Sequence, residues 1–118
     1  MKSHLSALII SIIFSLLIAF TSFTGGKTVW VHNKLTVGTW AAVTATNDSD
    51  GIYNIAQDWS VSHNGFHVDV PDNYPTFYLF FDVIVSTQDT KERGPFDNNQ
   101  DSCWHFHGHL DSWDIYSC

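Results

Sequence analysis

Apolar and polar side chains alternate through most of residues 28–116, and that period predicts short β-strands rather than helices. Thr28–Leu35 reads as a first strand, with Val29, Val31 and Leu35 on one face and His32 and Lys34 on the other. Trp30 falls on the polar face, where it either caps a sheet edge or marks a second covered surface. After a break at Gly38, Thr39–Thr46 forms a second run of β-branched, aromatic and small residues. Asn47–Gly51 is a turn cluster whose Asx side chains can bond nearby backbone. Ile52–Ile55 predicts a short third segment, Gln57–Asp58 a turn, and Trp59–His63 a fourth strand. Asn64–Gly65 tolerates positive φ at both positions, so Trp59–Val70 is expected to be a type I′ hairpin, ended by Pro71, Asp72, Asn73 and Pro75.

Thr76–Val85 is the most apolar run of this region and predicts a strand buried on both faces, with Asp82 near a sheet rim. Ser86–Ser102 reads as one long polar loop around Gly94–Pro95, anchored by Phe96. Alternation returns at Cys103–Leu110, where Trp104, Phe106 and Leu110 face one way and His105, His107 and His109 the other. Trp113–Tyr116 is a last short strand. The fold class is therefore all-β.

A different pattern precedes these strands. Lys2 and His4 give a weakly basic start, and Leu5–Phe20 is apolar apart from Ser6, Ser11 and Ser15. Thr21, Ser22, Thr24, Gly25 and Gly26 follow, which makes residues 1–26 an expected secretory signal peptide with cleavage between 22 and 26. The competing reading is a membrane anchor, but the run falls short of the ~20 apolar residues that a spanning helix needs. Residues 27–118 are then one extracellular domain, with no stable membrane insertion after cleavage. A core of that size gains from a covalent staple. Cys103 and Cys118, the only cysteines, are the expected disulfide in an oxidising compartment; an intermolecular bridge or a metal thiolate are the alternatives.

Charge narrows the partners. The formal net charge is −7, and beyond residue 26 the only cationic side chains are Lys27, Lys34, Lys91 and Arg93. No basic stripe exists to meet nucleic acid or an anionic membrane surface. The acidic balance suits solubility or a basic patch on a protein partner.

Candidate chemistry is sparse. There is no G-x-S-x-G elbow, glycine-rich nucleotide loop or EF-hand loop, and Glu92 is the only glutamate, so paired catalytic acids would have to be aspartates. A non-enzyme without a cofactor is expected, and a small hydrolase is an alternative. The histidine row is the one metal-like pattern. His105, His107 and His109 span ~13 Å along a strand, too far for all three to reach one ion, although two could bind with His67 or His32 from a neighbouring strand. The plainer reading is a solvent-facing strand. Asn47-Asp48-Ser49 is an N-glycosylation sequon in a turn, and the alternative is that Asn47 caps that turn.

The ordered set of short motifs resembles the plant self-incompatibility S1 family of small secreted S-proteins. The matching segments are Val29-Trp30-Val31-His32-Asn33-Lys34-Leu35, Asn47-Asp48-Ser49-Asp50-Gly51, Ile55, Trp59-Ser60-Val61-Ser62, Thr76-Phe77-Tyr78-Leu79-Phe80-Phe81, Phe96-Asp97, Cys103-Trp104 and Asp114-Ile115-Tyr116. The chain departs from the family in having two cysteines where four are usual, and no glycine before Ile115-Tyr116. The resemblance implies a small antiparallel β-sandwich acting as a secreted ligand read by a cell-surface receptor. It also implies recognition through surface loops, here Asn47–Gly51, Pro71–Pro75 and Lys91–Gln100, with Asn47, Asp48, Asp50, Asp72, Asn73, Lys91, Glu92 and Arg93 as candidate contacts. A secreted pathogen effector or toxin-like protein, and a secreted metal-binding protein, are the alternative functions.

Overall fold

The computed structural model describes residues 26–118, so residues 1–25 of the expected signal peptide lie outside the described residues. Eight strands follow in order: β1 (Lys27–Leu35), β2 (Trp40–Thr46), β3 (Asn54–Val61), β4 (Gly65–Val70), β5 (Thr76–Val83), β6 (Lys91–Asp97), β7 (Ser102–His109) and β8 (Ser112–Ser117). They form two four-stranded sheets, β4-β1-β7-β8 and β3-β2-β5-β6, which make a small β-sandwich. None of the described residues is helical, and no helix among them is long and apolar enough to cross a membrane.

Alternation decides what each strand buries. Val29, Val31 and Leu35 of β1, Phe66, Val68 and Val70 of β4, Phe106 of β7 and Ile115 of β8 form the inner face of the first sheet. Ala41, Val43 and Ala45 of β2 and Phe77, Leu79, Phe81 and Val83 of β5 form that of the second. Rings link the layers: Phe81 lies 5.2 Å from Trp104 and 5.9 Å from Phe106 between centroids. Phe96 sits 5.6 Å from Phe77 and 5.9 Å from Trp104, the anchoring role its isolation in a polar stretch suggested.

The strand pairing departs from expectation in several places. The sandwich is not wholly antiparallel, because β1 runs parallel to β7, from Val29 opposite Ser102 to Leu35 opposite Gly108. No tight turn joins these strands, so nothing local imposes an antiparallel pairing. Residues 54–61 form one strand rather than two, because Gln57 and Asp58 pair in register with Thr44 and Val43 of β2. The segment 91–97 is an edge strand within the expected long loop, held on β5 by Phe96 opposite Phe77. Edge pairing uses backbone groups and needs no apolar alternation, which that segment lacks. β5 is fully buried on one face only; Asp82 is part-buried on the other, opposite Ala42. Leu110 leaves the core face of β7 and stands exposed in the β7–β8 turn.

The expected hairpin at Trp59–Val70 is instead a corner between sheets: β3 pairs with β2, and β4 pairs with β1. Positive φ falls on His63 (71°), not on Asn64–Gly65. The side chain of Asn33 explains the crossing. It occupies an inward position of β1, is 2% exposed, and donates to the carbonyls of Thr39 (3.2 Å) and Ser60 (2.9 Å) while accepting from Leu35 N–H (3.1 Å). The His63 amide donates to the Asn33 carbonyl at 2.7 Å, and Ser60 Oγ donates to the Asn64 carbonyl at 2.7 Å. One buried amide thus draws the chain from the second sheet to the first.

Candidate functional site

The outer face of the first sheet gathers most of the chain's histidines. Strand period turns His67 of β4, Trp30 and His32 of β1, His105 and His107 of β7 and Tyr116 of β8 away from the core. Register sets their neighbours. Trp30 lies opposite His67 across β4, and His32 opposite His105 across β7. Tyr116 lies opposite His105, and Asp114 opposite His107, across β8.

The rings touch in two groups. Trp30 and His67 are 5.2 Å apart between centroids, with His67 Nε2 3.6 Å from the Asp69 carboxylate. His105 and His107 are 4.5 Å apart, and Tyr116 lies 5.6 Å and 5.8 Å from them. Burial, then the neighbouring charges of His107, Lys34 and His32, hold the His105 imidazole below its ordinary range. Its Nδ1 is buried without a hydrogen-bond partner. The arrangement presents imidazole and aromatic rings on one sheet face, with the neutral form favoured at His105. His109 stands apart at the strand end, beyond Gly108, whose φ of +116° and close approach to the Ser112 carbonyl leave no space for a Cβ.

Cys103 and Cys118 are joined in a disulfide on this same sheet, with Cα atoms 5.3 Å apart. The bridge ties the end of β8 to the start of β7, beside the backbone bond from Cys118 N–H to the Cys103 carbonyl (3.0 Å). A fifteen-residue closure of this kind contributes ~3 kcal/mol in the chain-entropy account.

The residues expected to form recognition loops are divided. Asn47, Asp48 and Asp50 occupy the turn between β2 and β3; Asp72 and Asn73 occupy the turn between β4 and β5. Both turns project from one end of the sandwich, since Thr46 pairs with Tyr78 near the start of β5. Asp48, not Asn47, organises its turn: its carboxylate accepts from Ile52 N–H (3.2 Å) and its carbonyl from Thr46 Oγ1 (2.7 Å). Asn47 is exposed. Lys91, Glu92 and Arg93 lie on the edge strand β6 rather than in a loop. Lys91 Nζ stands 5.0 Å from the centre of the Trp113 ring, in a cation–π contact that clamps β6 over β8.

The sequence offered His32, with His67, as a neighbouring-strand partner of the histidine row but not its place, and the role of Asn33 escaped it. His32 joins His105 only through the parallel pairing of β1 with β7, which no local pattern announces. Asn33 was detectable, as a polar residue between Val31 and Leu35 in an inward register. The chain matches no family model and no curated protein.

Proposed function

We propose that this protein is a secreted, non-enzymatic recognition ligand of the S-protein-homologue type, bound by a cell-surface receptor. The carrying observation is Trp30, which stands 48% exposed on a central strand, beside His67 and on the same outer face as half-exposed Tyr116. Tryptophan and tyrosine are the side chains most often found at the energetic centre of protein interfaces, where desolvation of a rigid ring dominates affinity. The inner faces of both sheets are packed, and the two end turns present Asp48, Asp50 and Asp72 to meet a basic partner. The resemblance of the chain's ordered motifs to the S1 family supports the same reading.

Binding of labelled, oxidised protein to intact cells of the source tissue tests it. Saturable binding competed by unlabelled protein is expected, with affinity falling about tenfold or more in Trp30→Ala. Non-saturable binding, or equal affinity of the Trp30→Ala protein, would overturn the proposal.

A further inference from the structure

The disulfide has a third chemical neighbour. A ring nitrogen of His32 and the sulfurs of Cys103 and Cys118 all lie within 4.8 Å of one another. β1 supplies His32, β7 supplies Cys103, and Cys118 directly follows β8. β1 and β7 are fixed by seven parallel register positions, and β7 and β8 by the antiparallel register from Trp104–Ser117 to His109–Ser112. The backbone holds Cys103 and Cys118 together independently of the sulfur–sulfur bond, through the amide of Cys118 on the carbonyl of Cys103. Cleaving that bond would leave two thiols and an imidazole at one point of the surface.

We propose that the Cys103–Cys118 disulfide is the oxidised form of a metal site, and that its reduced form binds one zinc ion through Cys103, Cys118 and His32. Two thiolates and an imidazole are the donor set of a tetrahedral zinc centre with one further position, and such donors lie roughly 3.5–3.8 Å apart around the ion. The Cα separation of 5.3 Å and the imidazole nitrogen within 4.8 Å of both sulfurs place the three donors close to that arrangement. His105, opposite His32 in register and with its Nδ1 unpartnered, is the candidate for the fourth position.

The chemistry balances in two steps. A dithiol reductant transfers two electrons and two protons, giving two cysteine thiols and the reductant's own cyclic disulfide. Zinc then replaces the two thiol protons, which leave to solvent, and His32 gives a lone pair; the metal undergoes no redox change. Access is available, because His32 and Cys118 are exposed and Cys103 is part-buried. The end of β8 is clipped in both states, by sulfur–sulfur bonding in an oxidising compartment and by zinc in a reducing one.

Cobalt titration of the full chain, reduced by a dithiol and desalted without oxygen, tests the proposal. One equivalent of Co²⁺ is expected to give a thiolate-to-cobalt charge-transfer band and tetrahedral visible bands, both displaced by zinc. The oxidised chain should give neither band. His32→Ala should weaken binding about tenfold or more, and Cys118→Ser should remove the tetrahedral spectrum. Absence of the charge-transfer band in the reduced parent would overturn the proposal. Equal affinity in the His32→Ala protein would do so too, since a chain unfolded by reduction would bind through its thiols alone. Binding of Co²⁺ by the oxidised chain as tightly as by the reduced one would move the site to the histidine row. Cell-surface binding of the oxidised protein is read separately, so either result stands without the other.

Discussion

Two asparagines hold opposite ends of this sandwich, and they do so differently. Asn33, near the end of β1, is buried and uses both halves of its amide: the nitrogen donates to two carbonyls and the oxygen accepts an amide proton. Asn98, between β6 and β7, is part-buried and works as a donor alone. Its nitrogen reaches the carbonyls of Val70 (3.2 Å), Pro71 (2.9 Å) and Tyr74 (3.0 Å), while its oxygen has no partner. The bond counts are alike, but Asn33 is 2% exposed whereas Asn98 is part-buried beside exposed Pro71. The end that Asn98 serves also carries the disulfide, since Cys103 lies opposite Trp30 near the start of β1. One end therefore depends on a dry hydrogen-bonded corner, and the other shares its load with a covalent bond.

The sharpest way to break this comparison is Asn33→Ala. It strands two carbonyls and one amide in the corner, and about 3–5 kcal/mol of unfolding free energy should be lost, measured by urea denaturation. A loss below about 1 kcal/mol would mean that the corner is not dry. Next in size is the double variant Cys103→Ser with Cys118→Ser, expected to cost ~3 kcal/mol in the same measurement. Asn98→Ala should cost less, about 1–2 kcal/mol, because of its three carbonyl partners that of Pro71 belongs to an exposed residue and that of Tyr74 to a part-buried one. If Asn98→Ala equals Asn33→Ala in cost, burial is not what separates the two ends.

The smallest expected effect concerns acid stability at the Asn33 end. The Asp111 carboxylate accepts from the Thr87 amide (2.9 Å) and hydroxyl (3.0 Å), which pins the β5–β6 loop to the β7–β8 turn. Those two bonds, with a smaller contribution from His109, hold its pKa below the ordinary 3.8 against a slight opposing effect of burial. A depressed carboxylate pKa adds stability above the ordinary value and loses it as pH falls through the folded value. Asp111→Asn should therefore lower stability slightly near neutrality and flatten the profile below about pH 4, so that variant and parent converge in acid, as followed by thermal melts across that range.

Much of the core was legible from alternation. Val29, Val31 and Leu35, Phe66, Val68 and Val70, and Phe106 point inward as their period requires. Alternation assigns faces but not sheets, and that is where the reading went astray. Asn64–Gly65 permits a tight hairpin locally, yet Asn33, thirty residues away in sequence, recruits the same segment into a corner. Lys91–Pro95 carries no apolar period because an edge strand is held by its backbone. The histidines of β7 were readable as a row. Their meeting with His32 depends on pairing between the first and seventh strands, a long-range event with no local signature.

That same pairing orders the assembly of the molecule in time. The strands of the second sheet, β2, β3, β5 and β6, are all complete once the chain reaches Asp97. The first sheet must wait: β1 occupies a central place whose other neighbour is β7, made only after the whole second sheet. During synthesis β1 can pair with β4 but keeps its other edge open until the final strands arrive. Such late, non-local closure slows folding and leaves an adhesive edge uncovered. A nascent chain of this design should therefore depend on chaperone protection until β7 and β8 have emerged, and truncation after Asp101 should leave a product that aggregates.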